Sequence, residues 1–342
     1  MRIVVAEARV PWGRDGAELH AGALVDELRR RGHEVESVAL PLRPEKEALL
    51  AQASAWRLLD LSSSNARPID LLIATRFPTY FARHPRKVLW LMHQHRAAYE
   101  LHGTEYSDFT DAEADTALRG QLVDLDRRML SECTRIFTNA RNTAHRLQKY
   151  NGISGTPLYH PPPIAGSLRE GPYEDYVLVV GRIEPLKRVE LAIRAMDHVP
   201  PPTRLVIVGD GSRRAAAERT AAASGAADRI EFRGAVWGDE VARLYSSALA
   251  VIYTPFDEDY GYVTLEAFLS ARPVITASDS GGPLEFVVDG GNGFVCAPDP
   301  AAIGGAVARL ARDREMAARL GHAGLATARA VTWDGVVEQL LG

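Results

Sequence analysis

Two α/β domains, each built on a parallel sheet, are predicted by three features of the sequence. A strand–helix–strand run opens the chain, the same alternation restarts after residue 163, and Pro161-Pro162-Pro163 stands between the two series. Length agrees, since 342 residues suit two domains at roughly 100–200 residues each. The composition, 46% hydrophobic and 25% charged, excludes a disordered chain, a collagen-like repeat and a disulfide scaffold. A formal charge of −4 carries no basic excess, so a dedicated nucleic-acid binder is not expected.

Each element follows from its pattern. Residues 2–6 hold the apolar run Ile3-Val4-Val5-Ala6, a buried strand. From Gly16, the residues Ala17, Leu19, Ala21, Leu24, Val25 and Leu28 recur at helical spacing until Gly32-His33 stops them. Residues 34–40 alternate as a second strand, and apolar runs at 69–74, 87–92 and 135–138 supply further strands with helical stretches between. Three prolines continue neither a helix nor a central strand, so a stiff connector is expected at 161–163. Beyond it, strands are expected over 176–181, 204–208, 230–233, 249–253 and 273–277. Helices are expected over 189–196, 212–224 and 263–270, with one more between the strands at 230 and 249. Ligands of open parallel sheets sit beyond the carboxyl ends of the strands, so a cleft between the domains is expected to hold the ligand.

Cys133 and Cys296 are far apart and belong to no CxxC or Cys/His cluster. Structural zinc is therefore not expected, and a reducing cytoplasm is. The first apolar run meets Glu7, too soon for a signal peptide, and no stretch reaches the ~18 apolar residues of a membrane span. Contact with a membrane surface stays open.

Two segments have the residue types for chemistry. Gly181-Arg182-Ile183-Glu184-Pro185-Leu186-Lys187 follows a strand and precedes a helix. Gly181 lets the chain turn, and Arg182 and Lys187 stand where two cations can grip a diphosphate, or where a solvated loop carries basic residues. Glu258 and Glu266 flank seven residues that run from loop into helix, with Gly261, Tyr262 and Val263 opening the helix and offering N–H groups to an anion. The plain alternative is a helix cap with an incidental glutamate inside it. His93-Gln94-His95-Arg96 follows the strand at 87–92; with no carboxylate or cysteine close in sequence, no metal is expected there. A structural histidine is the alternative to a ligand contact.

The GRxxxxK and Ex7E segments, in this order and on these elements, resemble those of the retaining glycosyltransferases of family 4, which have the GT-B fold. Val206-Ile207-Val208-Gly209-Asp210-Gly211 is similar to that family's strand and glycine turn. Gly281-Gly282-Pro283-Leu284-Glu285 and Asn292-Gly293-Phe294 resemble its GGxxE and NGF segments, and the match is strongest over 176–295. Trp333 resembles the start of a terminal segment that crosses back to the first domain.

The resemblance implies two Rossmann-like domains facing a central cleft: 1–163 on the acceptor side, 164–325 binding the nucleotide sugar, and 326–342 a helix returning to the first. It implies transfer of a sugar from a UDP- or GDP-sugar to a hydroxyl of a glycan, a lipid-linked sugar or a natural product, with no metal or other cofactor. Arg182 and Lys187 would hold the diphosphate, with Gly181 shaping their loop. Glu266 would hold the ribose, and Glu258 would meet the donor sugar. Gly261, Tyr262 and Val263 would give backbone N–H groups to sugar and phosphate, and His93 would contact sugar or acceptor. Tyr260 and Tyr262 depart from the family's usual Phe and aliphatic residue on either side of the glycine, which bears on the sugar pocket.

In the first domain, Asp15-Gly16-Ala17-Glu18 matches only the second glycine of a Gly-Gly-Ala-Glu loop; Gly16 would bring backbone N–H groups near phosphate, or simply begin a helix. Asp257-Glu258-Asp259 has the look of a DxD metal motif but lies inside the Ex7E segment, so no metal is read from it. The loop 103–115 and the arginines at 29–31 and 309–329 are expected to be solvated. A nucleotide-sugar epimerase on the same fold and a two-domain sugar-binding protein are the competing functions. A phosphorylase would need a longer chain with a pyridoxal-binding lysine, and a dehydrogenase is disfavoured because no GxGxxG follows the first strand.

Overall fold

The computed structural model describes residues 1–11 and 16–342. The chain divides into two compact units, residues 1–160 with 333–342, and residues 161–332.

The first unit begins with β1 (Arg2–Arg9), α1 (Gly16–Arg30), β2 (Glu34–Pro41) and α2 (Leu49–Leu58). A two-residue antiparallel pair, β3 (Ser63–Ser64) with β4 (Arg67–Pro68), precedes β5 (Leu71–Ala74) and β6 (Lys87–Leu91). Then come α3 (Glu113–Ser131), β7 (Arg135–Thr138), α4 (Arg141–Asn151) and β8 (Thr156–Pro157). Six strands form one parallel sheet in the order β2-β1-β5-β6-β7-β8. Side chains alternate across it, as strand geometry requires. Ile3, Val5, Leu71, Ile73, Val88 and Trp90 pack on one face with Ala21, Leu24 and Leu28 of α1. Val4, Ala6, Leu72, Ala74, Leu89 and Leu91 pack on the other with α2, α3 and α4. Both faces are covered, which is why these strands read as continuous apolar runs.

The second unit repeats the plan with β9 (Tyr176–Val180), α5 (Val189–Ala195), β10 (Arg204–Val208), α6 (Arg214–Ala222), β11 (Ile230–Gly234), α7 (Asp239–Ser247) and β12 (Ala250–Ile252). It continues with α8 (Tyr262–Leu269), β13 (Val274–Ala277), β14 (Gly293–Cys296), α9 (Pro300–Arg312) and α10 (Arg314–Arg329). Its six strands are parallel, in the order β11-β10-β9-β12-β13-β14. Strand order reverses between β9 and β12, so the loops after these two strands diverge and leave a crevice at their carboxyl ends. The last helix, α11 (Trp333–Leu341), belongs to the first unit, where Val336, Val337 and Leu340 join the core on the α1 side. Among the described residues no helix is long and apolar enough to cross a membrane.

Candidate active site

The reversal between β9 and β12 is where the two sequence motifs meet. After β9 the chain turns at Gly181 and passes through a 3-10 turn, Pro185–Lys187, into α5. This turn rests on the loop after β10. Gly209 has φ +140°, and a Cβ there would lie 1.8 Å from the Gly181 carbonyl oxygen. Only glycine tolerates both that backbone conformation and that approach. Glu184 secures the same corner by accepting from the backbone N–H of Ser212 at 2.9 Å.

From the far side, the segment after β12 is stitched to this turn. The N–H of Phe256 donates to the Leu186 carbonyl at 2.8 Å. Arg188 donates to the carbonyls of Thr254 and Pro255 at 2.8 Å each, and its guanidinium forks onto the Asp279 carboxylate at 2.8 and 2.6 Å. One arginine thus ties together the loops that follow β9, β12 and β13.

Lys187 points its ammonium at the Glu258 carboxylate, and the two form a half-buried ion pair. The Tyr253 hydroxyl donates to the same carboxylate at 3.0 Å and lies 3.4 Å from Lys187 Nζ. Burial and the Glu258 charge raise the Tyr253 phenol well above its usual pKa, so it stays protonated as a donor. Gly181, Arg182, Lys187, Tyr253 and Thr254 border a hollow of about 10 Å³ between the strand ends. Arg182 is exposed, and its guanidinium has no hydrogen bond or ion pair among the described residues. One cation of the pair is therefore anchored, and the other is available.

Gly261 caps α8 with φ +83°; a Cβ there would meet the Tyr253 ring at 2.8 Å. The helix thus starts directly against the Lys187–Glu258–Tyr253 group, and its first-turn N–H groups, those of Tyr262 and Val263 included, precede any helical carbonyl partner. Glu266, further along α8, has a different partner: the Tyr245 hydroxyl of α7 donates to it at 2.7 Å. Burial pushes the Glu266 carboxyl up to about 7, against the lowering effect of that hydrogen bond. The two glutamates therefore serve separate places.

Other expected segments are supports. Gly282 N–H donates to the Glu258 carbonyl at 2.8 Å, so the GGxxE segment holds the backbone of the ion-paired glutamate. Asn292 accepts from Val288 N–H at 2.8 Å and donates to the Phe286 carbonyl at 2.9 Å, closing its own loop.

In the first unit, Gly16 begins α1 and Glu18 pairs with buried Arg76 at 3.0 Å; Asp15 lies outside the described residues. His93 stands at the carboxyl end of β6, half-buried, and its Nδ1 lies 2.6 Å from the Gln94 carbonyl. That nitrogen donates, because a carbonyl oxygen only accepts. His95 packs its ring against Phe77 and Phe109, and burial lowers it to about 4.

Two residues that sequence reasoning passed over matter here, Tyr253 and Tyr245. Each stands outside any motif, and only the sheet and helix packing bring them to Glu258 and Glu266.

Residues 165–326 match the family described as glycosyl transferases group 1. A D-inositol 3-phosphate glycosyltransferase of Acidothermus cellulolyticus is 36% identical over 179 residues, which cover 48% of this chain and 40% of that protein. The same-named protein of Segniliparus rotundus is 27% identical over 253 residues, covering 68% of this chain and 56% of its own. The chain thus spans about half the length of these curated relatives, or less. Among solved structures, sucrose-phosphate synthase of Thermosynechococcus elongatus aligns over 99% of this chain and 97% of its own, with TM-score 0.79 and 16% identity. HepE of Anabaena, solved with UDP and glucose, aligns over 100% and 98%, with TM-score 0.74 and 17% identity. Likeness over the whole chain shows the fold, two Rossmann-like α/β domains as in the GT-B glycosyltransferases.

Proposed function

We propose that this chain is a retaining glycosyltransferase that moves a sugar from a nucleoside-diphosphate sugar to an acceptor hydroxyl without a metal. The observation that carries the proposal is the meeting of the GRxxxxK and Ex7E segments, where Glu258 and Tyr253 hold Lys187 at the strand-order reversal. The group 1 match over 165–326 supports it, as do the curated relatives, and HepE is solved with UDP-glucose, so a UDP-sugar is the first donor to test.

In this reaction the bond between the anomeric carbon and the phosphate oxygen breaks, and negative charge gathers on the departing diphosphate. Arg182 and Lys187 take up that charge, Lys187 from a direction that Glu258 fixes. The acceptor oxygen bonds to the anomeric carbon from the face the phosphate leaves, and its proton passes to a phosphate oxygen. Glu266 accepts from the ribose hydroxyls, the first turn of α8 donates to phosphate and sugar, and His93 contacts the sugar or the acceptor.

A thermal-shift screen of UDP-, GDP-, ADP- and dTDP-sugars tests the donor class, because a ligand that binds only the folded protein raises its melting temperature. The donor that shifts it is then incubated with candidate acceptors, with and without EDTA, and the product's anomeric configuration is read by NMR. Absence of a shift with every nucleotide sugar defeats the proposal. An inverted product, or loss of activity on chelation with recovery on adding Mg²⁺ or Mn²⁺, defeats the corresponding part of it.

A further inference from the structure

The first unit buries a carboxylate that no ion pair neutralises among the described residues. Asp126, in the middle of α3, is 0% exposed. The hydroxyls of Tyr80 and Tyr99 donate to its two oxygens at 2.7 and 2.5 Å. Apolar side chains would hold α3 against the sheet at less cost, since an ionised carboxylate loses much of its hydration on burial. What the carboxylate adds is direction. It fixes two hydroxyls that come from two loops, one after β5 and one after β6, both at the carboxyl ends of adjacent strands.

The chain of bonds continues. Asn151, at the end of α4, donates from Nδ2 to the Tyr99 hydroxyl at 3.4 Å. Gln94 donates from Nε2 to Asn151 Oδ1 at 2.7 Å. The backbone carbonyl of Gln94 accepts from Nδ1 of His93 at 2.6 Å, so the last link passes through the Gln94 main chain. Tyr99, Asn151 and Gln94 are each buried, so water does not compete for these bonds. A second tie runs alongside, for Phe77 in the Tyr80 loop donates its N–H to the His93 carbonyl at 3.4 Å.

We propose that Asp126 is a positioning residue for His93, acting through Tyr99, Asn151 and Gln94 to fix the tautomer and direction of the imidazole at the carboxyl end of β6. The inference rests on the glycosyltransferase proposal only for what His93 does; the positioning itself is a property of the first unit. Nothing in the GRxxxxK or Ex7E segments depends on it.

The test uses Tyr99→Phe, which removes one hydroxyl and keeps the ring, beside Asp126→Asn and His93→Ala. The first readout is the His93 ring in NMR, which requires no substrate. Tyr99→Phe and Asp126→Asn are each expected to move the His93 ring signals and its titration, while the signals of exposed His145 stay put. Unmoved His93 signals in the folded Tyr99→Phe protein overturn the inference, whatever the enzyme catalyses. The second readout is turnover with the donor found above. Tyr99→Phe is expected to lower kcat about tenfold with KM for the donor within about twofold, because the nucleotide contacts assigned above lie in the second unit. The double variant His93→Ala with Tyr99→Phe is expected to be no slower than His93→Ala alone, as for residues that act through one another. Multiplying losses in the double variant sink the positioning role. His93→Ala with unimpaired sugar transfer instead removes His93 from the proposed reaction, so the two failures are told apart.

Discussion

Lys187 illustrates how much of a site one side chain's surroundings decide. Its spacing from Arg182 is legible in the sequence, and so is the spacing of Glu258 from Glu266. That Lys187 and Glu258 pair directly is not, since 71 residues and a strand reversal separate them. Lys187→Ala should lower kcat/KM about 100-fold or more, the usual cost of losing one donor aimed at developing charge. The melting temperature should change by less than about 4 °C, because the residue is half-buried and its loop is held by Arg188. Steady-state kinetics beside a thermal melt reads both, and near-normal turnover defeats the assignment. Glu266 gives a pH dependence. Its carboxyl is held up to about 7 in the free protein, and ribose hydroxyls donate best to the ionised form. Nucleotide binding should therefore expel a proton, and affinity should rise from about pH 6 to about pH 8 and then level off. Calorimetry in buffers of different ionisation enthalpy detects the proton, and Glu266→Gln should abolish both effects. A wild-type affinity that is flat across this range takes the ribose away from Glu266.

At the scale of elements, the strands were the most legible part. Both faces of each sheet are covered by helices, so runs such as Leu71–Ala74 and Ala250–Ile252 are apolar at every position and are fully buried. Helix ends were less so. The expected 212–224 helix is Arg214–Ala222, because the chain first turns at Gly211, whose neighbours are tied back to Glu184. Long-range polar ties such as Arg188 with Asp279 or Asp126 with two tyrosines leave no periodic trace, since each partner lies on its own element. The stacked turns after β9 and β10 make a prediction here. Gly209→Ala places a methyl carbon 1.8 Å from the Gly181 carbonyl in a backbone conformation alanine rarely adopts. The turns must separate, at a cost of more than ~2 kcal/mol. Urea denaturation should show that loss, and a nucleotide that raises the wild-type melting temperature should do so less in the variant. Unchanged stability means the two turns do not bear on each other.

At the scale of the molecule, His160 ends the first passage of the chain through the first unit and Trp333 begins the second, with rings 5.9 Å apart. Trp90 lies 5.0 Å from His160 and 6.1 Å from Trp333, and His20 Nδ1 meets His160 Nε2 at 2.9 Å. Burial lowers His20 to about 3 and lowers His160 as well. In an unfolded chain both would titrate at about 6.5. As the pH falls below that value the unfolded state takes up protons that the folded state refuses. Stability is then lost at about 1.4 kcal/mol per pH unit for each such group. Urea midpoints at about pH 7 and about pH 5 should differ less in His20→Gln than in the wild type. An equal difference in both proteins would show that the imidazole pair takes up protons without unfolding. The two parallel-sheet domains were readable from the alternation and the prolines, and the terminal return from the resemblance at Trp333; the buried imidazole pair was not, since His20 and His160 are 140 residues apart.

The return of α11 also sets an order of events at synthesis. Val336, Val337 and Leu340 complete a core whose other residues are made more than a hundred positions earlier. The ribosome therefore makes every residue of the inserted unit before it makes the segment that completes this core, so the unit translated first is completed after the one inserted in it. A released chain that stops at residue 332 should keep the inserted unit protease-resistant and leave the leading one open to cleavage.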